Sequence, residues 1–114
     1  VSMNDLTFLV LTAVADRPLH GYAVLQEIRS ITDDSVVPQV ATLYRTIDRL
    51  VADGLLVEDG SEVVNGRFRR SYRLTDGGAA DLAAEAQHRA ATARIATKRL
   101  KSPLVGPGLV GGVA

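Results

Sequence analysis

The stretch VVNGRFRRSYRLTDGG, from Val63 to Gly78, decides the fold that we predict for this chain. Its Asn65-Gly66 pair is the strongest short-range signal of a β-hairpin, because both central positions of the preferred two-residue turn need a positive φ. On either side, apolar and polar residues alternate with a period of about two, which predicts strands over residues 55–64 and 67–74.

The turn length predicts how these two strands pair. A two-residue turn sets Val64 opposite Arg67, and the same register carried along the strands sets Asp59 opposite Tyr72. A bulge at Gly60 would shift that register.

The alternation also divides the side chains of the second strand between two faces. One face carries Arg67, Arg69, Ser71 and Arg73, and the other carries Phe68, Arg70 and Tyr72. Phe68 and Tyr72 are expected to pack inward or across the strand pair.

The arginines of this hairpin stand out because the chain as a whole is neutral, with 13 basic and 13 acidic residues. Residues 65–74 hold four arginines and no acid, and residues 85–101 hold five Lys and Arg residues beside Glu85. A neutral chain with local basic clusters is compatible with a polyanion that is contacted at defined points, whereas a non-specific polyanion binder is usually basic overall.

Three helices are predicted upstream of the hairpin, over residues 5–16, 20–31 and 38–53. The first contains LTFLVLTAVA, which is apolar nearly all round, and we expect a partner subunit to cover its second face. This run is too short to span a membrane and lacks the basic start of a signal peptide. His20 is expected to begin the second helix. The third helix has an apolar face made of Val40, Leu43, Ile47, Leu50 and Val51.

Three helices followed by a hairpin is the order of a winged helix-turn-helix, an α+β fold that is mainly α. We assign it to residues 1–74. Its third helix enters the DNA major groove and its hairpin, the wing, contacts the backbone or the minor groove. On the third helix, Arg45 can bond guanine bidentately, while Arg49 lies further along and is expected to meet a phosphate. A solvated helix face is the alternative for both arginines.

Thr75 is expected to cap a fourth helix over residues 75–101, which we interpret as a dimerisation helix. Its small and apolar residues form a thin seam, and the alternative is that this seam packs only on its own domain. The tail at 102–114 is rich in glycine and is expected to be disordered. The expected dimer-interface residues are Leu6, Phe8, Leu9, Leu82, Ala86, Arg89, Ala93, Ala96 and Leu100.

Three blocks of the sequence resemble the signature blocks of PadR-type transcriptional regulators: PLHGYAVLQEI (18–28), TLYRTIDRLVADGLL (42–56) and GRFRRSYRLTDGG (66–78). The resemblance covers about residues 5–85. It implies a homodimer, held by the first and last helices, that represses transcription at a pseudo-palindromic operator. It also implies that some members release double-stranded DNA when a small aromatic or hydrophobic effector binds. The single short last helix is similar to that of the smaller subfamily.

The resemblance implies DNA contacts from the recognition helix, including Tyr44, and from the wing, including Arg69 and Arg70. Gln39-Val40-Ala41 stands where the family often has Ser-Pro-Gly. Together with the pattern of the third helix, these matches complete the expected DNA-binding set: Gln39, Ala41, Thr42, Tyr44, Arg45, Arg49, Arg67, Arg69 and Arg70.

Other classes of protein fit the sequence less well. A winged helix used for protein contact, as in an antirepressor, would not need a basic wing. The recognition helix also resembles that of Fur-type metal regulators, but their His-rich metal site has only His20 and His88 as candidates here. The chain has no cysteine, nucleophile–base pair or phosphate-binding glycine loop. We therefore expect no enzyme activity, no cofactor, no metal and a cytoplasmic location.

Overall fold

A computed structural model describes residues 3–101, so the predicted disorder of the 102–114 tail lies outside the described residues. Along the chain, the elements are α1 (Asp5–Ala13), β1 (Leu19–His20), α2 (Gly21–Ile31), α3 (Val40–Ala52), β2 (Leu56–Val64), β3 (Arg67–Leu74) and α4 (Asp76–Lys101). The strands form one antiparallel sheet in the order β1-β3-β2. The predicted winged helix-turn-helix with a further C-terminal helix is confirmed.

Side chains at the helix starts explain where three of the helices begin. The Asn4 side chain accepts a hydrogen bond from the Thr7 amide at 2.8 Å at the start of α1. At the start of α2, Nδ1 of His20 accepts from the Ala23 amide at 3.4 Å. The Thr75 hydroxyl accepts from the Gly78 amide at 2.9 Å at the start of α4. Each bond satisfies an amide that has no partner within its own helix.

The core lies where the first three helices meet the base of the sheet. Twelve residues are buried there: Val10, Leu11, Ala13, Val14, Val24, Leu25, Ile28, Leu43, Ile47, Leu50, Leu56 and Tyr72. Val40 and Val51 were expected on the buried face of the third helix, but their exposed fractions are 55% and 36%. Val40 is the first residue of α3 and Val51 is the second-to-last, so both lie at the ends of the helix, outside the stretch from Leu43 to Leu50 that contributes to the core.

The hairpin has the predicted turn but not the predicted register along its whole length. Val64 pairs with Arg67, as expected for a turn at Asn65-Gly66. A bulge between Glu58 and Ser61 then shifts the pairing, so that Glu58 rather than Asp59 lies opposite Tyr72. Gly60 has a φ of +91° in this bulge, a conformation that glycine adopts without strain.

The short strand β1 was not predicted, and it joins the wing to α2. Leu19 pairs with Tyr72 and His20 pairs with Ser71. A two-residue strand carries no periodic signal of its own, and the proline before it marked only the end of a helix. Because His20 is the last residue of β1 and also caps α2, the start of α2 is fixed against β3.

The helix α4 begins against the body of the protein and then leaves it. Gly78 is buried and Leu82 packs on the core, whereas all residues from 92 to 101 are exposed. The described part of the molecule is elongated, at 65 × 27 × 21 Å. None of the helices within residues 3–101 is long and apolar enough to cross a membrane.

Candidate nucleic-acid interface

The outer face of α3 carries Arg45 in an open position. Leu43 and Ile47 are buried, as predicted, which turns Ala41 and Arg45 outward to solvent. Arg45 Nη2 donates to the Thr42 hydroxyl at 3.3 Å. Within residues 3–101 this guanidinium pairs with no carboxylate. Its remaining N–H groups are therefore available to an external acceptor.

Arg49, on the same helix, has a partner inside the protein. Its Nη2 donates to the Thr7 hydroxyl at 2.6 Å, which links α3 to α1. Thr7 is buried, with 6% of its surface exposed. Arg49 thus contributes to the packing of α3 on α1, a role that sequence reasoning missed because the two residues are far apart in the chain.

The four wing arginines divide into two kinds. Arg70 Nε lies 3.4 Å from a carboxylate oxygen of Glu58, and Arg73 Nε lies 3.9 Å from one of Asp59. Both acids lie on β2, outside the acid-free stretch 65–74. No ion pair forms at Arg67 or Arg69 among the described residues, so these two carry the uncompensated charge of the wing.

A concave surface, the wing cleft, lies between the start of α2, the side of α3 and β3. Its volume is about 780 Å³. The basic residues of its lining are His20, Arg67, Arg69 and Arg70, and its apolar and aromatic residues are Tyr22, Val40, Tyr44, Phe68 and Tyr72. No sequence pattern groups His20, Tyr22 and Val40 with the wing, because no pattern predicts β1, which joins them.

The aromatic residues of the wing cleft lie in different environments. Tyr72 is buried as expected, and burial followed by the nearby Asp48 carboxylate raises the pKa of its phenol. Phe68 was expected to pack inward or across the strand pair, but it is 61% exposed and its partner Val63 is 69% exposed. The tip of the wing extends past the core, so no layer covers these side chains. Arg70 instead lies over the Phe68 ring, 5.4 Å from its centroid.

Tyr44, the family-derived DNA contact, forms one wall of the wing cleft and is 40% exposed. Its ring lies against Gly21, where a methyl group would overlap the ring atoms. The glycine therefore allows Tyr44 to sit against the start of α2. Gln39 is exposed at the N-cap position of α3, and its side chain makes no capping hydrogen bond. Thr42 is half-buried.

The residues expected at a dimer interface are split by the structure into two groups. Leu6, Leu9 and Leu82 are half-buried and pack on the core of their own chain. The other small and apolar positions of α4 are exposed, namely Ala86, Ala93, Ala96 and Leu100. The first group fits the alternative of packing within one chain, and the second group remains free to contact a partner.

Arg89 makes its contacts within one chain. Its Nε donates to Glu85 at 2.8 Å, Nη1 to Asp5 at 2.9 Å and Nη2 to the Met3 carbonyl at 3.0 Å. Its guanidinium also lies 4.3 Å from the centroid of the Phe8 ring. The hydrogen bond that Arg89 donates to Glu85 is the main cause that raises the pKa of Arg89. These bonds attach α4 to the start of α1.

The acidic and histidine residues of the described chain form no metal centre. Within residues 3–101, no three or more of them come together in a group that could hold a metal ion.

Comparison with known proteins places this geometry among transcriptional regulators. The model of the transcriptional regulator PadR-like family matches residues 10–84. A curated relative, transcriptional regulator Rv3488 of Mycobacterium tuberculosis, is 47% identical over 73 residues. That alignment covers 64% of this chain and 64% of the relative, so the chain spans less than two thirds of the relative's length.

Solved structures share the fold. A PadR family transcriptional regulator from Eggerthella lenta has a TM-score of 0.67 and 28% identity, covering 85% of this chain and 82% of that one. Bacillus subtilis PadR in complex with operator DNA has a TM-score of 0.62 and 18% identity, covering 71% and 46% of the two chains. At that identity the second likeness concerns the fold alone.

Proposed function

The chain belongs to the PadR-like family of transcriptional regulators, and we propose that it acts as a homodimeric repressor that binds a pseudo-palindromic operator. One observation carries the proposal: in a neutral chain, Arg45 on the outer face of α3 and Arg67 and Arg69 of the wing form no ion pair within residues 3–101. Those groups are the ones that a winged helix uses to contact DNA.

We assign the reading of base sequence to the outer face of α3. Ala41 has a small side chain, which allows the helix to approach the bases closely, and Thr42 can contact a thymine methyl group or a phosphate. Arg45 is assigned to a guanine, a bidentate contact that discriminates against other bases by about 1–3 kcal/mol. Gln39 and Tyr44, at the start and on the flank of α3, complete the contacts of the recognition helix.

Phosphate contacts are assigned mainly to the wing. Arg67 and Arg69 have no acidic partner among the described residues, so DNA phosphates would be their first ionic partners. Arg70 would have to exchange Glu58 for a phosphate, which makes its contribution smaller. Arg49 can reach a phosphate only with the N–H groups that are not engaged by Thr7.

We assign dimer formation to α4 and α1, with residues 1–74 as the DNA-binding unit and 75–101 as the dimerisation helix. The support is the outer half of α4, which is exposed within one chain although it carries Ile95 and Leu100, with exposed fractions of 52% and 87%. A partner helix would bury these residues. A two-fold dimer would then place its two recognition helices on half-sites about one helical turn apart.

An effector that releases the operator is the last part of this proposal. A small hydrophobic or aromatic molecule would suit the half-buried apolar side chains of α1, including Leu6 and Leu9. The regulator would act in the cytoplasm, where it meets its operator.

The second candidate function is a winged helix that binds another protein, as an antirepressor does. The exposed apolar residues of the wing and its cleft favour it, namely Tyr22, Val40, Val63 and Phe68. The unpaired wing arginines favour DNA instead, because a protein interface tends to exclude uncompensated charge from its centre.

Selection from a library of random duplexes tests the proposal and separates the two functions. We expect the protein to enrich a two-fold symmetric motif whose half-sites lie about one helical turn apart. Light scattering on the same sample is expected to give the mass of a dimer. A library that shows no enrichment would contradict the repressor and favour the protein-binding module.

A further inference from the structure

The imidazole of His20 and the guanidinium of Arg69 meet at the edge of the wing cleft. Nε2 of His20 lies 3.4 Å from Nη1 of Arg69. Both residues are half-buried, whereas Arg67, Arg70 and Arg73, the other three arginines of the wing, are exposed. The two residues are held in register because His20 pairs with Ser71 on β3, two positions from Arg69.

The cap of α2 determines which nitrogen of His20 carries the hydrogen. Nδ1 accepts the hydrogen bond of the Ala23 amide, so in the neutral ring the hydrogen is on Nε2. The opposite tautomer would let Nε2 accept from Arg69, but it would leave the Ala23 amide without its cap. That amide has no partner within the helix, whereas the guanidinium can still turn to water. The capping tautomer is therefore favoured.

Two hydrogen-bond donors consequently face each other. A guanidinium has no acceptor, and Nε2–H cannot accept either. Glu62 is the cross-strand partner of Arg69 but forms no ion pair with it, and Asp48, which also lines the wing cleft, bonds neither group. The described residues thus supply no acceptor between the two donors. An anionic oxygen at that position would accept from both.

We propose that His20 and Arg69 together bind one phosphate of the operator backbone. The inference rests on the proposed function and adds to it a DNA contact outside α3 and the wing. A phosphodiester shares one negative charge between two non-bridging oxygens, so it can accept from the imidazole and the guanidinium at once. Arg67 and Arg70 line the same cleft and raise its positive potential, while Asp48 opposes them. Tyr22, Tyr44 and Tyr72 contribute no charge when protonated.

The paired contact has a structural consequence for DNA recognition. His20 belongs to both β1 and the start of α2, and Arg69 belongs to the wing. A shared phosphate would therefore hold the wing at a set distance from the helix pair that positions Tyr44. The contact contributes affinity and orientation, while base readout remains with α3.

The test uses His20→Asn and Arg69→Gln in the full chain, with Arg73→Gln as the matched control. Asparagine is a good helix cap, so it keeps the Ala23 bond available while removing the longer reach of the imidazole. Arg73 lies on the same strand but pairs with Asp59 and does not line the wing cleft. Thermal unfolding checks that all three variants fold. Affinity is measured for a selected duplex and for a series in which one phosphate at a time is replaced by an uncharged methylphosphonate.

We expect His20→Asn to weaken binding of the unmodified duplex about three- to tenfold, the size of effect that the loss of one ordinary hydrogen bond produces. One methylphosphonate position per half-site should weaken binding by the wild type, and it should weaken binding by His20→Asn and by Arg69→Gln less, because each variant keeps only one of the two contacts. Arg73→Gln should remain sensitive at that position.

Two results would overturn the inference while leaving the proposed function intact: wild-type affinity in His20→Asn, or different phosphates identified by the two variants. A wild type that binds no duplex would overturn both. A titration of the free protein with inorganic phosphate distinguishes a DNA phosphate from a free phosphate as the ligand. Binding is monitored through the nitrogen chemical shifts of the His20 ring. A response to inorganic phosphate without any effect of His20→Asn on DNA binding would assign the pair to a free anion and overturn the operator contact.

Discussion

The ring of Tyr44 on α3 lies directly against the backbone of Gly21 at the start of α2. This contact sets the orientation of a residue that we assign to DNA recognition, and it forms the inner wall of the wing cleft. The closeness of the two helices at this point depends on the absence of a Cβ atom.

Gly21→Ala is accordingly expected to displace Tyr44 and to weaken DNA binding. Overpacking of this kind costs about 1–3 kcal/mol, partly offset by the better helix propensity of alanine. Urea unfolding of Gly21→Ala, Tyr44→Ala and the double variant measures the effect. In the Tyr44→Ala background, the second substitution should be neutral or stabilising. Equal destabilisation in both backgrounds would show that Tyr44 is not the obstacle.

Two adjacent glycines of α4 provide a matched pair of substitutions. A methyl group at Gly78 would overlap the Leu55 carbonyl oxygen, which cannot move freely because it accepts from the Thr75 amide at 3.1 Å. At Gly77 the nearest atom would be the Gly54 oxygen at 3.7 Å, an ordinary contact. We expect Gly78→Ala to lower the free energy of unfolding by about 2 kcal/mol or more, and Gly77→Ala to raise it by up to about 1 kcal/mol. Chemical denaturation measures the free energy of unfolding of both variants. Similar changes in the two variants would contradict the packing described for α4.

Arg45 and Arg49 are expected to behave differently although they lie one turn apart. Arg45→Ala should change the free energy of unfolding by no more than about 0.5 kcal/mol relative to the wild type, as is usual for an exposed side chain. It should relax the base preference at one operator position by about 1–3 kcal/mol. Arg49→Ala loses the hydrogen bond to Thr7 and should destabilise the fold by about 1 kcal/mol. Binding to a set of single-base operator variants, together with denaturation, separates the two roles. If Arg45→Ala weakened binding equally for all operator variants, Arg45 would be assigned to a phosphate instead.

Arg89→Lys tests the attachment of α4 to α1. Lysine keeps the charge but cannot reach Asp5, Glu85 and the Met3 carbonyl at once, so we expect a loss of about 1–2 kcal/mol. Arg94→Lys, at an exposed position of the same helix, is the control and should change little. Because the bonds lie within one chain, the loss should not depend on protein concentration. A loss that grows on dilution would instead place Arg89 at a subunit interface.

Much of the hairpin could be predicted because its turn is encoded locally. Asn65-Gly66 needs no tertiary contact to specify the turn, and the adjacent pair Val64 and Arg67 follows from it. The register beyond Ser61 could not be predicted in the same way, since a glycine permits a bulge without requiring one. The two-residue strand β1 is defined by its pairing with β3, so no local sequence pattern predicts it.

The candidate site was predictable in its residue types but not in its pairings. The period of α3 correctly turned Arg45 outward, but the same period placed Val40 in the core, because periodicity does not show where a helix projects beyond its neighbours. The partners of Arg70 and Arg49 come from β2 and α1, at distances along the chain that no sequence pattern reports. The meeting of His20 with Arg69 likewise depends on β1.

The central claim is that α3 and the wing bind a specific DNA sequence. Fluorescence anisotropy over a salt series, with the selected duplex and a shuffled duplex, tests it most directly when the wild type is compared with the Arg67→Gln, Arg69→Gln double variant. We predict tight binding that is selective for the selected duplex and falls steeply with salt. The slope of log affinity against log salt should be shallower by about 0.9 for each phosphate contact that the variant loses. Weak binding that is equal for both duplexes and insensitive to salt would contradict the account.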